Sequence, residues 1–173
     1  FGTVAASTRA IHGFMAQNSS QLIEQLDRLQ GRVEMGLRVA WQVPNIYDYF
    51  VSRSPELKDE RDRIYASGKK ANRDERIHIG KIFESLLEKD RLTHQKKVEQ
   101  IIRPSCDEIR SNPTKNEKEV MNLACLVRHD CLEDLEKHIS AAADLFDGHY
   151  LFDYNGPWAP HNFVDLNLNS MAG

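Results

Sequence analysis

The stretch Val33-Glu-Met-Gly-Leu-Arg-Val39, continued by Ala40, Trp41 and Gln42, decides the fold. Val33, Met35, Leu37, Val39 and Trp41 alternate with Glu34, Gly36, Arg38, Ala40 and Gln42, and a period of two puts the first set on one face of a half-buried strand. Pro44 stops it. Upstream the period is different: from Ser7, a suitable N-cap, Ile11, Phe14, Met15, Leu22, Ile23, Leu26 and Leu29 recur every three or four residues. That is the stripe of an amphipathic helix ending near Gly31.

Downstream, a short helical piece around Ile46 to Val51 leads into the charged stretch Pro55 to Arg76, where Ser67-Gly68 predicts a break between helices or a flexible turn. Ile77, Ile82, Phe83, Leu86, Leu87, His94, Val98, Ile101, Ile102, Cys106 and Ile109 then trace one face of a very long helix, kinked or shortened at Pro104. Ser111 to Asn116 reads as a turn or hairpin-like connection. In Glu119 to Arg128 a second strand is expected, with Met121, Leu123, Cys125 and Val127 inward and Val120, Asn122, Ala124 and Leu126 on a partly covered second face. Asp130 and Glu133 have capping-box spacing ahead of a helix that would bury Leu135, His138, Ile139, Ala142, Leu145 and Phe146 and end at a left-handed Gly148. A third strand, Tyr150 to Asn155, alternates Tyr150, Phe152 and Tyr154 with Leu151, Asp153 and Asn155, and Gly156-Pro157 should end it.

Helices and strands interleaved in this way predict an α+β fold. The expected form is a ferredoxin-like small antiparallel or mixed sheet packed by helices, with a long helical insertion or extension over about 56–110. A fourth strand is expected from Phe1 to Val4 or from Phe163 to Leu166. Residues 1–31 are expected to hold the end of an N-terminal domain, itself absent, plus a connecting helix. Residues 32–173 form the C-terminal α+β domain.

The 173 residues are 40% hydrophobic and 28% charged with a net charge of −3, enough for one core and without the basic block that nucleic acid needs. No apolar run approaches the roughly 20 residues that span a bilayer. Cys106, Cys125 and Cys131 lack C-x-x-C spacing, so neither a disulfide framework nor a cysteine-rich metal site is favoured, and a reducing cytoplasm is the simplest setting. Cys125 reads as a buried small hydrophobe, and Cys131, beside a helix start, as the more reactive candidate. The seven histidines form neither an H-x-H pair nor an H-E-x-x-H motif, and scattered surface or core-edge positions are the favoured reading. Phosphate loops and a nucleophile elbow are absent as motifs. No catalytic residue, cofactor or metal is therefore expected.

The closing Asn155-Gly-Pro-Trp-Ala-Pro160 remains. Its prolines and glycine fix a rigid turn, and Trp158 and Phe163 offer large apolar surface, to cover the sheet or to meet a partner. Here a resemblance enters. Phe1-Gly2-Thr3 before a helix, Glu34-Met-Gly36-Leu-Arg-Val39 as a strand, and Tyr154-Asn-Gly156-Pro157-Trp158-Ala-Pro160-His-Asn-Phe163 at the end match, in order and spacing, the motifs of the GvpF/GvpL family of gas vesicle accessory proteins. Met35 stands where the family often has tryptophan. The resemblance implies a non-enzymatic role in building gas vesicles, in the cytoplasm and associated with the vesicle. It implies contact with the small hydrophobic shell subunit, at its gas-facing side or during nucleation, and with other minor vesicle proteins. The alternative is a ferredoxin-like regulatory or small-ligand-binding module without catalysis, since this architecture hosts many functions.

Overall fold

The computed structural model describes residues 6–66, 68 and 71–167. Among these residues nine helices and strands follow one another: α1 (Thr8–Leu29), β1 (Arg32–Trp41), α2 (Ile46–Arg53), α3 (Pro55–Tyr65), α4 (Arg73–Ile102), β2 (Glu108–Ser111), β3 (Glu119–Arg128), α5 (Leu132–Ala143) and β4 (Tyr150–Trp158). The four strands form one sheet in the order β2-β3-β1-β4, with every neighbouring pair antiparallel. From β1 onward the chain runs as two interleaved strand-helix-strand units, which is the ferredoxin-like topology the alternating elements predict.

The register explains the two faces. Leu37 pairs with Leu123 and Tyr154, and Val39 with Met121 and Phe152, so these residues share the face packed by helices. There Leu37, Val39, Leu123 and Val127 meet Val98 and Ile102 of α4 and Leu135, Ile139 and Ala142 of α5. All of these side chains are buried, and burying each Leu, Ile or Val contributes about 1.5–3 kcal/mol. Beside them α2 supplies Phe50, edge-on to both Trp41 and Phe83, and extends the core along α4.

Helix termini follow local chemistry. The Ser7 hydroxyl accepts from the Ala10 N–H and starts α1. Asn72 and Glu75 exchange side-chain and backbone bonds, both 2.8 Å, in a capping box that starts α4, while Ser67, where a break is expected, lies outside the described residues.

Several expectations need correction. The long helix ends at Ile102, where Arg103–Ser105 tightens into a 3-10 turn around Pro104, and Ile109 lies on β2 instead of a helical face. That short β2 is the sheet's fourth strand. Phe163 to Leu166 instead starts in a 3-10 turn, and Phe1 to Val4 lies outside the described residues. Asp130 does not cap α5: its carboxylate pairs with Arg128 at 3.2 Å, inside a 3-10 turn, and Cys131 holds the N-cap position without a side-chain bond to the helix backbone. Gly148 is not among the left-handed glycines, because α5 ends earlier, at Ala143, and Leu145 beyond it is exposed. Finally, Gly156-Pro157 does not end β4, which continues to Trp158 by shifting register against β1.

Candidate functional site

The sheet's second face carries the Glu34, Gly36, Arg38 and Ala40 side of β1, next to Leu126, Ala124 and Asn122 of β3. Among the described residues, helix cover on this face comes only from the end of α1, through Leu29. A tail segment, residues 159–167, crosses its end. Phe163 is fully buried and packs with Ala124, Leu126 and Leu29, a second small core.

Polar groups hold the tail at every step. The buried Glu34 carboxylate accepts from the Asn162 backbone N–H at 2.9 Å and from the Asn162 side-chain amide. Arg110 donates to the Asn162 carbonyl at 2.7 Å and to the Asp165 carboxylate at 2.7 Å, and its guanidinium lies 5.2 Å from the Phe163 ring centre. Arg28 of α1 donates to the Phe163 carbonyl at 2.9 Å and pairs with Glu108 of β2 at 2.6 Å. Arg110 beside it holds the Asp165 carboxyl below its ordinary range, while Arg110 itself is raised by Asp165 and Glu108. A second buried carboxylate on this face, Glu119, meets Arg38 Nε at 2.9 Å.

The glycines that the sequence motifs single out have steric reasons. A Cβ on Gly36 would stand 2.6 Å from Asn155 Oδ1, and that same oxygen accepts the Trp158 indole N–H at 3.0 Å. Gly156 has φ of +125°, where L side chains are strained, and a Cβ there would meet the Glu34 carbonyl oxygen at 2.9 Å. The following Gly156–Pro157 peptide is cis. Glu34, Gly36, Gly156, Trp158 and Phe163 are thus brought into one assembly in which β1, β4 and the tail interlock. Tyr154 is the exception. It points to the helix-packed face, and burial pushes its phenol up to about 12. Phe1, Gly2 and Thr3 lie outside the described residues. Sequence reasoning missed Arg28, Arg110, Asn162 and Asp165, whose partners are far away in the chain.

Beside the tail the surface turns apolar. A groove of about 540 Å³ opens between the last turns of α1 and the tail, lined by Leu26, Leu29, Ala159, Pro160 and Val164. Leu26 is 70% exposed, Trp158 55% and Val164 41%. The α1 stripe continues away from the groove through Ile23, Met15 and Ile11, all exposed. Among the described residues no cluster of three histidine, cysteine or acidic side chains could hold a metal, and no helix is long and apolar enough to cross a membrane.

Fold and site together define a ferredoxin-like α+β protein whose signature residues fasten its own C-terminal tail across the sheet and leave an apolar groove open beside it. The family described as gas vesicle synthesis protein GvpL/GvpF matches residues 1–165, and the chain belongs to that family. Gas vesicle protein F of Nostoc sp. is 25% identical over 152 residues, covering 86% of this chain and 60% of that protein. Its counterpart from Microcystis aeruginosa is 26% identical over 152 residues, 85% of this chain and 59% of the relative. The chain therefore spans about three fifths of the length of these curated relatives. The crystal structure of GvpF from Anabaena sp. superposes with a TM-score of 0.82 over 96% of this chain and 68% of that one, at 23% identity. GvpF from Microcystis aeruginosa gives 0.76 over the same shares, at 22% identity.

Proposed function

We propose that this protein serves gas vesicle assembly by binding the hydrophobic shell subunit at the groove between α1 and the C-terminal tail, without catalysing a reaction. Family membership supports the vesicle setting, in the cytoplasm and in association with the vesicle and its other minor proteins. The observation that carries the choice of surface is the pair of exposed apolar side chains Leu26 and Val164 lining one groove together with Leu29, Ala159 and Pro160. Contiguous exposed apolar surface of this kind marks a place where an apolar partner is received. The tail supports the role in a second way. Its backbone is fixed by Glu34, Arg28 and Arg110, so the groove wall is rigid before any partner arrives, which reduces the ordering cost of binding.

Pull-down of the shell subunit tests the reading. This chain should retain the subunit, and Leu26→Asp, a charge placed in the groove, should abolish retention while leaving the fold intact by circular dichroism. Retention unchanged by Leu26→Asp would move the contact elsewhere on the molecule.

A further inference from the structure

The second face of the sheet holds a cavity of about 310 Å³ that shares only His161 with the apolar groove. Its lining is polar and converges from separate parts of the chain: Arg38 on β1, Asn112 and Lys115 in the connection after β2, Asn122 on β3, and Asn155 and Trp158 on β4. Strand pairing brings them together. Arg38 pairs with Asn122 and Gly36 with Asn155, and the Asn112 N–H donates to the Asn122 carbonyl at 2.7 Å, so the three carboxamides span the sheet from its β2 side to β4.

Most charges here are already matched. Glu34 holds both donors of Asn162, and Arg38 pairs with the buried Glu119 at 2.9 Å and with Asp153 at 3.8 Å. Lys115 is different. Its backbone N–H donates to the Glu119 carboxylate, which anchors the residue at the cavity, yet among the described residues its ammonium has neither a hydrogen bond nor an ion pair. The side-chain amides of Asn112 and Asn122, both on partly buried residues, are likewise without partners among the described residues, and Asn155 commits its oxygen to the Trp158 indole while its NH₂ stays open. The cavity therefore presents one uncompensated cation, two whole carboxamides and one further NH₂, beside the exposed indole of Trp158.

That set fits one kind of ligand. A single cation calls for a single negative charge, and a carboxamide, with its acceptor and two donors in one plane, matches a peptide group donor for acceptor. A carboxylate with a peptide group directly beside it is the end of a polypeptide chain, whereas the carboxylate of an acidic residue is carried away from its own backbone by the side chain. At about 310 Å³ the cavity lies at the lower end of ligand sites, a size for a chain end and not for a long passing segment. We propose that this cavity captures the free C-terminus of a partner polypeptide. Lys115 pairs with the terminal carboxylate in a charge-assisted bond, Asn112 and Asn122 bond the last peptide groups, and the last side chain lies against Trp158.

The test titrates N-acetyl-dialanine, with its carboxylate free, into the isotope-labelled protein and follows proton-nitrogen correlation spectra. The side-chain NH₂ signals of Asn112 and Asn122 and the indole N–H of Trp158 should shift and saturate in the millimolar range. Lys115→Ala, at an exposed position, should weaken binding about tenfold, the loss of one bond to a charged group. The C-terminal amide of the same probe, which keeps the peptide groups and lacks the charge, should bind comparably weakly to wild type. Asn112→Ala and Asn122→Ala should each weaken binding several-fold; Asn112 lies outside the strands, so its variant keeps the test open should Asn122→Ala disturb β3. Absence of saturating shifts at these signals overturns the proposal, as does equal binding by Lys115→Ala or by the amide probe. Acetate alone reproducing the shifts with the same affinity also overturns it, leaving an anion site without peptide recognition.

Discussion

Glu34 Oε2 accepts a hydrogen bond from the backbone N–H of Asn162 at 2.9 Å, joining β1 to a residue 128 positions later in the chain. Glu34 is buried, and its other oxygen accepts from the Asn162 amide, so the carboxylate replaces the water it lost with two donors from the tail. Glu34→Gln puts an NH₂ group where an acceptor is needed. It should cost about 1–3 kcal/mol, the price of leaving a buried donor unsatisfied. Urea denaturation measures this, and limited proteolysis should show the tail cut first in the variant.

The two motif glycines predict unequal costs. At Gly36 an added methyl meets the end of the Asn155 side chain, which can swing away at the loss of its bond to Trp158, about 1 kcal/mol. At Gly156 it meets the Glu34 backbone carbonyl and Met35 in a positive-φ conformation, and backbone strain of this kind costs about 1–3 kcal/mol. Gly156→Ala should therefore lower the denaturation midpoint more than Gly36→Ala. The reverse order would mean that β4 relaxes around position 156 more easily than Asn155 moves.

Much of this architecture is legible in the sequence because strand alternation is a local signal. Val33 to Trp41 and Glu119 to Arg128 carry their face assignments in their own side chains, and the register of the sheet follows them. The short β2 was hidden for the same reason: four residues with one inward side chain, Ile109, continue the three-residue spacing of the helix before them. The tail's fastening was not legible at all. Arg28 and the Phe163 carbonyl are 135 residues apart, and no local pattern announces such a bond. Periodicity likewise marks Ile11, Met15, Ile23 and Leu26 as the apolar side of α1 without saying what lies against it.

Phe163 in the tail and Trp158, the last residue of β4, separate a structural role from the proposed contact role. Phe163 is fully buried in the small core with Ala124, Leu126 and Leu29, and Phe163→Ala should destabilise the protein by about 3–5 kcal/mol. Trp158 is more than half exposed and its indole donates to Asn155, so Trp158→Ala should cost about 1 kcal/mol. If the shell subunit seated in the groove also reaches the exposed indole next to Ala159, Trp158→Ala should nonetheless weaken its retention several-fold in pull-down. Equal retention by wild type and Trp158→Ala would remove Trp158 from the contact surface.

The ion pair of Asp165 with Arg110 gives the tail a defined response to acid. Arg110 hydrogen-bonds the Asp165 carboxylate and holds its pKa below the ordinary aspartate value of 3.8. A carboxyl with a depressed folded-state pKa binds its proton more readily in the unfolded chain. Its stabilising contribution is therefore present above the unfolded value and is lost as pH falls through the folded one. Asp165 is exposed, so solvent and salt screen the effect and its size stays small at physiological ionic strength. Asp165→Asn should release the tail to protease slightly faster than wild type at pH 6–7, the difference shrinking as pH drops below about 4 and vanishing once the wild-type carboxyl is protonated. Added salt should narrow the gap at neutral pH. A difference that persisted undiminished in acid would assign the effect of Asp165→Asn to lost packing instead of lost charge.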